Sequence, residues 1–181
     1  MTEKATLAGG CFWCTEAIFK RLRGVQNILP GYAGGTEENP TYEAVSRGDT
    51  GHVEAVQIEF NPTEIPYEKI LDIFWHTHDP TTLNRQGNDV GPQYRSVIFY
   101  HDENQRVLAE KSKEEIERAK VYPEPIVTEI IPFTNFFVAE NSHQNYYDRN
   151  RTQGYCSFVI DPKISKLLKE YSSDVKEEYR H

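Results

Sequence analysis

The chain has 181 residues, 38% hydrophobic and 12% aromatic, which suits one folded domain with a substantial core and excludes a disordered chain. Its formal net charge of -8, without a basic cluster, argues against nucleic-acid binding. No apolar stretch is long enough to span a bilayer, and the N-terminus lacks a signal-peptide pattern. We therefore expect a cytoplasmic protein with a single domain over residues 1–181, and we take a monomer as the default state.

The first third of the chain alternates strand-like and helix-like segments. Residues 4–8 read as a short strand that ends at two glycines, and the apolar spacing becomes helical after Cys11, with Gly24 as the stop. Glycine and proline dominate residues 30–52, which predicts a long loop of the kind that compact domains keep mainly for function. Residues 53–60 alternate as a strand does.

The remaining segments continue the alternation. An amphipathic helix is predicted from Tyr67 to about His78, then a second loop over 80–93 and a strand over 96–100. Asp102 and Gln105 form an N-cap pair for a charged helix to about residue 120. A strand over 127–133, a helix over 140–149 and a terminal helix from 161 complete an order typical of a two-layer sheet-and-helix domain.

The three cysteines point to chemistry rather than to structural disulfides, because the count is odd. Cys11 stands where a helix begins, and there the free N–H groups and the helix dipole lower the pKa of a thiol. The alternative is a buried cysteine in an aromatic cluster. The Cys11-x-x-Cys14 spacing fits a redox pair or half of a zinc site, although no second spacing of this kind supplies the other ligands.

Glu54 is the acid whose position is least expected. The period of two along its strand places it on the same face as Val56, Ile58 and Phe60. A carboxylate on a core-facing position is costly unless it is paired or protonated. A thioredoxin-like dithiol oxidoreductase also places a Cys-x-x-Cys between a strand and a helix, but it does not need this acid.

A series of motifs resembles the A-type peptide methionine sulfoxide reductases. They run in the same order as in that family over about residues 5–156: Gly10-Cys11-Phe12-Trp13, Gly31-Tyr32-Ala33-Gly34-Gly35, Asn39-Pro40-Thr41-Tyr42, Gly51-His52-Val53-Glu54-Ala55-Val56, His78-Asp79-Pro80-Thr81, the stretch from Asn84 to Ser96, and Gly154-Tyr155-Cys156.

The resemblance implies a fold and a reaction. The fold is an α+β domain, a two-layer sandwich with a ferredoxin-like core, a mixed sheet, long loops and an irregular C-terminal segment from about residue 150. The reaction is the reduction of methionine sulfoxide, free or in proteins, with the S-epimer at sulfur preferred. Thioredoxin would supply the electrons, and no bound metal or organic cofactor is expected.

It also implies roles for individual residues. Cys11 would attack the sulfoxide sulfur as a thiolate, while Glu54 would protonate the oxygen, since burial raises the pKa of a carboxyl group. Tyr42 and Tyr94 would donate hydrogen bonds to the same oxygen, although either tyrosine taken alone fits a loop or a core position.

The resemblance assigns the substrate's other contacts to three residues. Phe12 and Trp13 would hold the S-methyl group, and Asp89 would orient the polar side of the site. Asp89 also suits a turn, so a structural role stays open. His143 lies near Gln144 and Tyr146 on a probable helix, so a structural histidine is expected there. The family often shows an acid and a tyrosine just before it, where this chain has Asn141 and Ser142, so the resemblance assigns this segment no contacts.

A second thiol must resolve the sulfenic acid that Cys11 becomes. The family pattern nominates Cys156, on a tail that contains Gly154. Here Cys14 stands where many members have glycine, and some relatives with this cysteine use it in recycling. The order of thiol exchange therefore stays open, as does the alternative that Cys14 is a small helical residue facing the core.

Overall fold

The computed structural model describes residues 1–181, and its centre is one six-stranded sheet in the order β7-β6-β1-β3-β2-β8. The strands are β1 (Glu3–Gly9), β2 (Val25–Ala33), β3 (Val53–Phe60), β6 (Ser96–Tyr100), β7 (Glu129–Pro132) and β8 (Phe136–Val138). A separate two-stranded hairpin is formed by β4 (Arg85–Gln86) and β5 (Asp89–Val90).

Six α-helices accompany the sheet: α1 (Phe12–Lys20), α2 (Tyr42–Ser46), α3 (Tyr67–Thr77), α4 (Glu103–Arg118), α5 (Tyr146–Arg149) and α6 (Asp161–Glu170). The predicted cap of α4 forms, since the Asp102 carboxylate accepts from the Gln105 amide over 2.8 Å. None of the helices is both long enough and apolar enough to cross a membrane.

The core of the sheet has the ferredoxin-like arrangement. The chain order β1-α1-β2-β3-α3-β6 builds the antiparallel strand order β6-β1-β3-β2, which is the split βαββαβ unit. Strand β7 pairs parallel to β6, so the complete sheet is mixed. The predicted α+β fold with a ferredoxin-like core is confirmed.

Each face of the sheet has its own apolar cluster. The larger one comprises 32 buried residues and includes Val56, Ile58 and Phe60 of β3. The smaller one comprises six, among them Val53 and Ala55 from the opposite face of the same strand. The alternation places Glu54 on the face of the larger cluster, beneath the start of α1.

The prediction of a loop over 30–52 is wrong for residues 30–33 and 42–46. Strand β2 continues through Pro30 and Gly31, although proline lacks the N–H that a central strand donates. Pairing with β8 starts only at Gly31, so Pro30 lies where that ladder stops. At Gly31 the backbones approach closely, since a Cβ would lie 2.4 Å from the carbonyl oxygen of Phe137.

Two further predictions need correction. The helix expected over 140–149 is divided into a 3₁₀ turn (Asn141–His143) and α5, because Asn145 takes a left-handed conformation with φ of 56°. The loop expected over 80–93 contains the β4–β5 hairpin, and a 3₁₀ turn (Pro92–Tyr94) follows it. Just before α6 the backbone forms a π-helical turn (Cys156–Ile160), which the sequence did not predict.

Candidate active site

Cys11 occupies the junction between β1 and α1. It is the residue before the first helical position, and its carbonyl oxygen accepts the Cys14 amide over 3.1 Å. Gly10 just before it has φ of 96°, and a Cβ there would lie 2.5 Å from the Gln86 side chain. The hairpin that contains Gln86 therefore packs directly onto the turn that presents Cys11.

The thiols of Cys11 and Cys14 lie within hydrogen-bonding reach of each other, and their pKa values are shifted in opposite directions. Burial raises the pKa of the Cys11 thiol well above its ordinary value, and the Cys14 and Glu54 side chains add to the effect. The hydrogen bond from Cys11 lowers the pKa of Cys14 to about 7, against burial and with help from Lys163. The sequence predicts a lowered pKa for Cys11, but in the fold it is the pKa of Cys14 that is lowered.

Glu54 lies beneath the same helix start. Its side chain is 2% exposed, and Oε1 accepts the backbone N–H of Phe12 over 3.1 Å. Burial raises its pKa to about 8, although the Phe12 hydrogen bond opposes the shift. The carboxyl group is therefore largely protonated at neutral pH and can give up a proton.

Tyr42 and Tyr94 complete the polar part of the site. Both are half-buried, and both feel the charges of Glu54 and Cys11. Burial raises the pKa of Tyr42 to about 12 and that of Tyr94 further, so both hydroxyl groups remain protonated donors.

An aromatic wall stands beside Cys11. The Trp13 indole stacks on Tyr146 with ring centroids 3.7 Å apart and planes 7° from parallel. The indole N–H donates to Nδ1 of His143 over 3.1 Å, and His143 in turn stacks on Tyr42 at 4.3 Å. Phe12 packs against Tyr42 and His143 from below. His143 thus fixes the planes of two site aromatics.

The other side of Cys11 opens into a cavity of about 320 Å³. Tyr155 lines this cavity. Its hydroxyl group donates to Asp89 Oδ2 over 2.6 Å and lies 3.6 Å from the Cys14 sulfur. Asp89 is therefore both the start of strand β5 and a wall of this cavity. Asp89 thus has the structural role that the sequence left open and also lies where a role in the site is feasible.

The third cysteine, Cys156, lies in the larger core cluster. It is fully buried at the start of the π-helical turn and makes no disulfide or hydrogen bond with Cys11 or Cys14. Burial raises the pKa of its thiol. Its neighbour Tyr155, and not Cys156 itself, contacts Cys14.

The structure thus assembles eight of the nine predicted site residues around one helix start, and it holds the ninth, Cys156, in the adjoining core. It adds residues that sequence reasoning missed, chiefly Tyr155, Tyr146 and Lys163. Tyr155 stands inside the quoted Gly154-Tyr155-Cys156 motif, which was a usable signal, whereas nothing local marks Lys163. No group of three or more His, Cys, Asp or Glu side chains is arranged to hold a metal ion.

Comparison with known proteins identifies a single family along nearly the whole chain. Residues 3–176 match the family model described as peptide methionine sulfoxide reductase. The peptide methionine sulfoxide reductase MsrA of Saccharolobus solfataricus is 53% identical over 174 residues, covering 96% of this chain and 97% of the relative. The MsrA of Thermus thermophilus is 54% identical, covering 94% and 96%.

Solved structures agree with the sequence relatives. Reduced Mxr1 from Saccharomyces cerevisiae is 38% identical and has a TM-score of 0.80, covering 86% of this chain and 89% of the yeast chain. Mxr1 in complex with Trx2 is similar at 28% identity and a TM-score of 0.57, covering 80% and 84%. On these matches, the chain belongs to the peptide methionine sulfoxide reductase family.

Proposed function

We infer that this chain is a thioredoxin-dependent peptide methionine sulfoxide reductase. Its relatives from archaea and bacteria are named peptide methionine sulfoxide reductase MsrA, and the structure of the yeast relative with Trx2 supports thioredoxin as the reductant. The reaction converts a sulfoxide into a thioether, so two electrons come from thiols of the enzyme and the oxygen ends in water.

We propose Cys11 as the nucleophile. It lies at the head of α1, on the wall of the cavity, and is 7% exposed. Since burial raises its pKa, it needs a neighbour to accept its proton before it attacks, and Cys14 lies within hydrogen-bonding reach. Attack by the Cys11 thiolate on the sulfoxide sulfur drives negative charge onto the oxygen.

The main support for this reaction is the buried acid Glu54. Its pKa of about 8 keeps a proton available at neutral pH, next to the helix start that presents Cys11. Tyr42 and Tyr94 hold neutral hydroxyl groups around the same position and would donate hydrogen bonds to the oxygen as charge develops on it.

The remaining groups would fix the substrate. Phe12 and the Trp13 plane offer an apolar surface for the S-methyl group, while Asp89 and its hydrogen-bonded Tyr155 form the polar side. A site that fixes the methyl group, the oxygen and the direction of attack together accepts one configuration at sulfur. The resemblance to the family implies that this is the S-epimer, and we propose that the S-epimer alone is reduced.

Methionine then leaves, and Cys11 remains as a sulfenic acid. Cys14 or Cys156 would condense with it to form a disulfide and release water, after which thioredoxin would reduce the disulfide. A cytoplasmic location, a monomeric state and one catalytic domain over residues 1–181 remain predictions.

An anaerobic single turnover tests the assignment. Fully reduced protein without recycling reductant is mixed with excess methionine sulfoxide of both epimers, and methionine, remaining thiols and each epimer are counted. We expect at least one methionine per chain, a loss of thiols and consumption of the S-epimer alone. A folded, reduced sample that forms no methionine would favour a dithiol–disulfide oxidoreductase that uses Cys11 and Cys14 alone.

A further inference from the structure

Lys163 lies beside Cys14 without an assigned role. It stands in the first turn of α6, half-buried, and lines the 320 Å³ cavity that Cys11 and Cys14 also line. It also lines a second, tight cavity behind the helix start, between Thr15 and His78. Cys14 and Lys163 are the two residues common to both cavities, and the charge of Lys163 lowers the pKa of this thiol.

The ammonium of Lys163 has no other partner. None of the eight ion pairs of the protein includes it, and it donates no hydrogen bond to another group. Its neighbour Lys166, by contrast, donates to the His76 carbonyl over 2.6 Å. A cation in the first turn of a helix also opposes the helix dipole, so α6 gains nothing from this charge.

Among the groups that face Cys14, Lys163 is the one whose positive charge favours a thiolate. Cys11 donates a hydrogen bond to the Cys14 sulfur, the Tyr155 hydroxyl lies 3.6 Å from that sulfur, and Asp89 opposes a negative charge there. On the α3 side, burial lowers the pKa of His78 to about 3, so that ring is neutral. A thiolate at Cys14 is therefore balanced by Lys163 alone among the charged side chains around it.

We propose that Lys163 is the counter-ion of a Cys14 thiolate and thereby makes Cys14, rather than Cys156, the first thiol to attack the Cys11 sulfenic acid. This inference rests on the proposed function. The Cys14 thiolate would attack the Cys11 sulfur, an S–S bond would form, the S–O bond of the sulfenic acid would break, and the hydroxide would leave as water after taking a proton. Cys14 is oxidised as Cys11 is reduced, so no external oxidant is needed.

The placement of Cys156 supports this order. Cys14 lies one helical turn from Cys11, whereas Cys156 is fully buried and the preceding residue, Tyr155, is the one that contacts Cys14. Access for Cys156 requires the π-helical turn to open. Attack by Cys14 requires no such movement.

The test compares the wild type with Lys163→Met, Lys163→Arg and Lys169→Met. Lys169 lies on the same helix, is exposed and makes no ion pair, so its loss matches the change in net charge. Reduced protein is mixed anaerobically with one equivalent of the S-sulfoxide and quenched with an alkylating agent at successive times. Methionine is counted, and peptide mapping locates the first disulfide.

In the wild type we expect a Cys11–Cys14 disulfide before any disulfide that includes Cys156. Removal of the cation should raise the Cys14 pKa by about one unit. Near neutral pH the thiolate fraction of Cys14 would fall about fivefold, and the greater nucleophilicity of the more basic thiolate partly offsets this loss, so Lys163→Met should slow disulfide formation about twofold. At strongly alkaline pH the variant should equal or exceed the wild-type rate, a crossing that a structural defect would not produce.

Lys163→Arg should behave as the wild type, and Lys169→Met should have an unchanged pH profile. A titration of ultraviolet thiolate absorbance in the resting proteins gives a second readout, in which only Lys163→Met shifts the lower midpoint upward. A first disulfide between Cys11 and Cys156, or identical pH profiles for Lys163→Met and Lys169→Met, would overturn the inference while leaving the reductase function intact. Absence of methionine in the wild type would instead overturn the proposed function.

Discussion

At the scale of single residues, Glu54 shows how the fold alters ordinary chemistry. Its carboxyl group is 2% exposed and has one hydrogen bond, from the Phe12 amide, so the charged form loses hydration that one donor does not replace. The result is a pKa of about 8 in place of 4.5. The protein thus keeps a carboxylic acid neutral where a proton is needed, at a cost in stability.

The first prediction concerns the chemistry of this acid. Glu54→Gln keeps the size of the side chain but cannot donate its acidic proton, so we expect methionine formation in a single turnover to fall about a hundredfold to ten-thousandfold. A rapid-quench assay measures it, with circular dichroism as the control for folding. Full activity in this variant would remove Glu54 from the mechanism.

The second prediction concerns the pH dependence of the same step. The acid form of Glu54 is required and is lost above a pKa of about 8. The rate of methionine formation should therefore fall as pH rises through this value, and the residual rate of Glu54→Gln should lack that limb. A basic limb with the same midpoint in both proteins would assign it to another group.

The third prediction concerns stability. Because the pKa of Glu54 is about 8 in the folded chain and near 4.5 otherwise, the folded state holds more protons between these values. Stability is thus highest below pH 4.5 as far as this group is concerned, and it declines as pH rises through the folded pKa. Glu54→Gln stays neutral, so above pH 8 it should be more stable than the wild type by roughly a few kcal/mol.

Urea unfolding at acidic and alkaline pH checks this third prediction. The free energies of unfolding should approach each other at low pH and diverge at high pH, in favour of the variant. A constant difference at every pH would show that Glu54 does not ionise in the folded protein within this range.

At the scale of elements, the close pairing of β2 with β8 depends on the absence of a Cβ atom at Gly31. A Cβ at Gly31 would lie 2.4 Å from the Phe137 carbonyl oxygen and 2.5 Å from the Phe136 ring. The fourth prediction is that Gly31→Ala destabilises the protein by about 2 kcal/mol or more, because backbone must move. Gly154→Ala is the control, as its Cβ would meet only Phe158 at 3.9 Å. Equal melting temperatures would contradict the close approach.

The C-terminal segment is the element that must open if Cys156 is to react. The Tyr155 hydroxyl ties it to Asp89 over 2.6 Å, and the π-helical turn that follows is a geometry often found at functional sites. The fifth prediction is that Tyr155→Phe increases the labelling rate of Cys156 by a bulky maleimide about tenfold, because the segment loses a hydrogen bond to a carboxylate.

Ser157→Ala provides the matched control for this fifth prediction. Ser157 is exposed, and its hydroxyl donates only to the Arg151 carbonyl over 3.4 Å, so the labelling rate of Cys156 should stay at the wild-type value. Equal rates in Tyr155→Phe and the wild type would show that Tyr155 does not hold the segment closed.

At the scale of the whole molecule, one core joins the two ends of the chain. The larger cluster runs from Ala5 to Val175, and an isolated bridge pairs Leu22 with Val175. The site thus lies between a helix start near the N-terminus and a segment near the C-terminus, both packed on the same sheet. This arrangement favours the single domain that the sequence predicts, with a site that exists only in the folded chain.

Much of the site could be anticipated from the sequence because its signals are local. The strand–glycine–helix junction marks Cys11, and the alternation along β3 places Glu54 on the core face, since side-chain direction follows from the period of the strand. The ordered motifs then point to one family of reductases. These features depend on residues a few positions apart, and the sequence alone therefore determined them.

The tertiary structure decided what depends on residues far apart in the chain. Burial and neighbouring groups, which no local pattern reports, make Cys14 the thiol with the lowered pKa and bring Lys163 beside it. Packing against β3 and β8 also keeps Pro30 and Gly31 in a strand, against their usual preference for turns. Charge and burial depend on distance in space, and folding sets that distance over more than a hundred residues of chain.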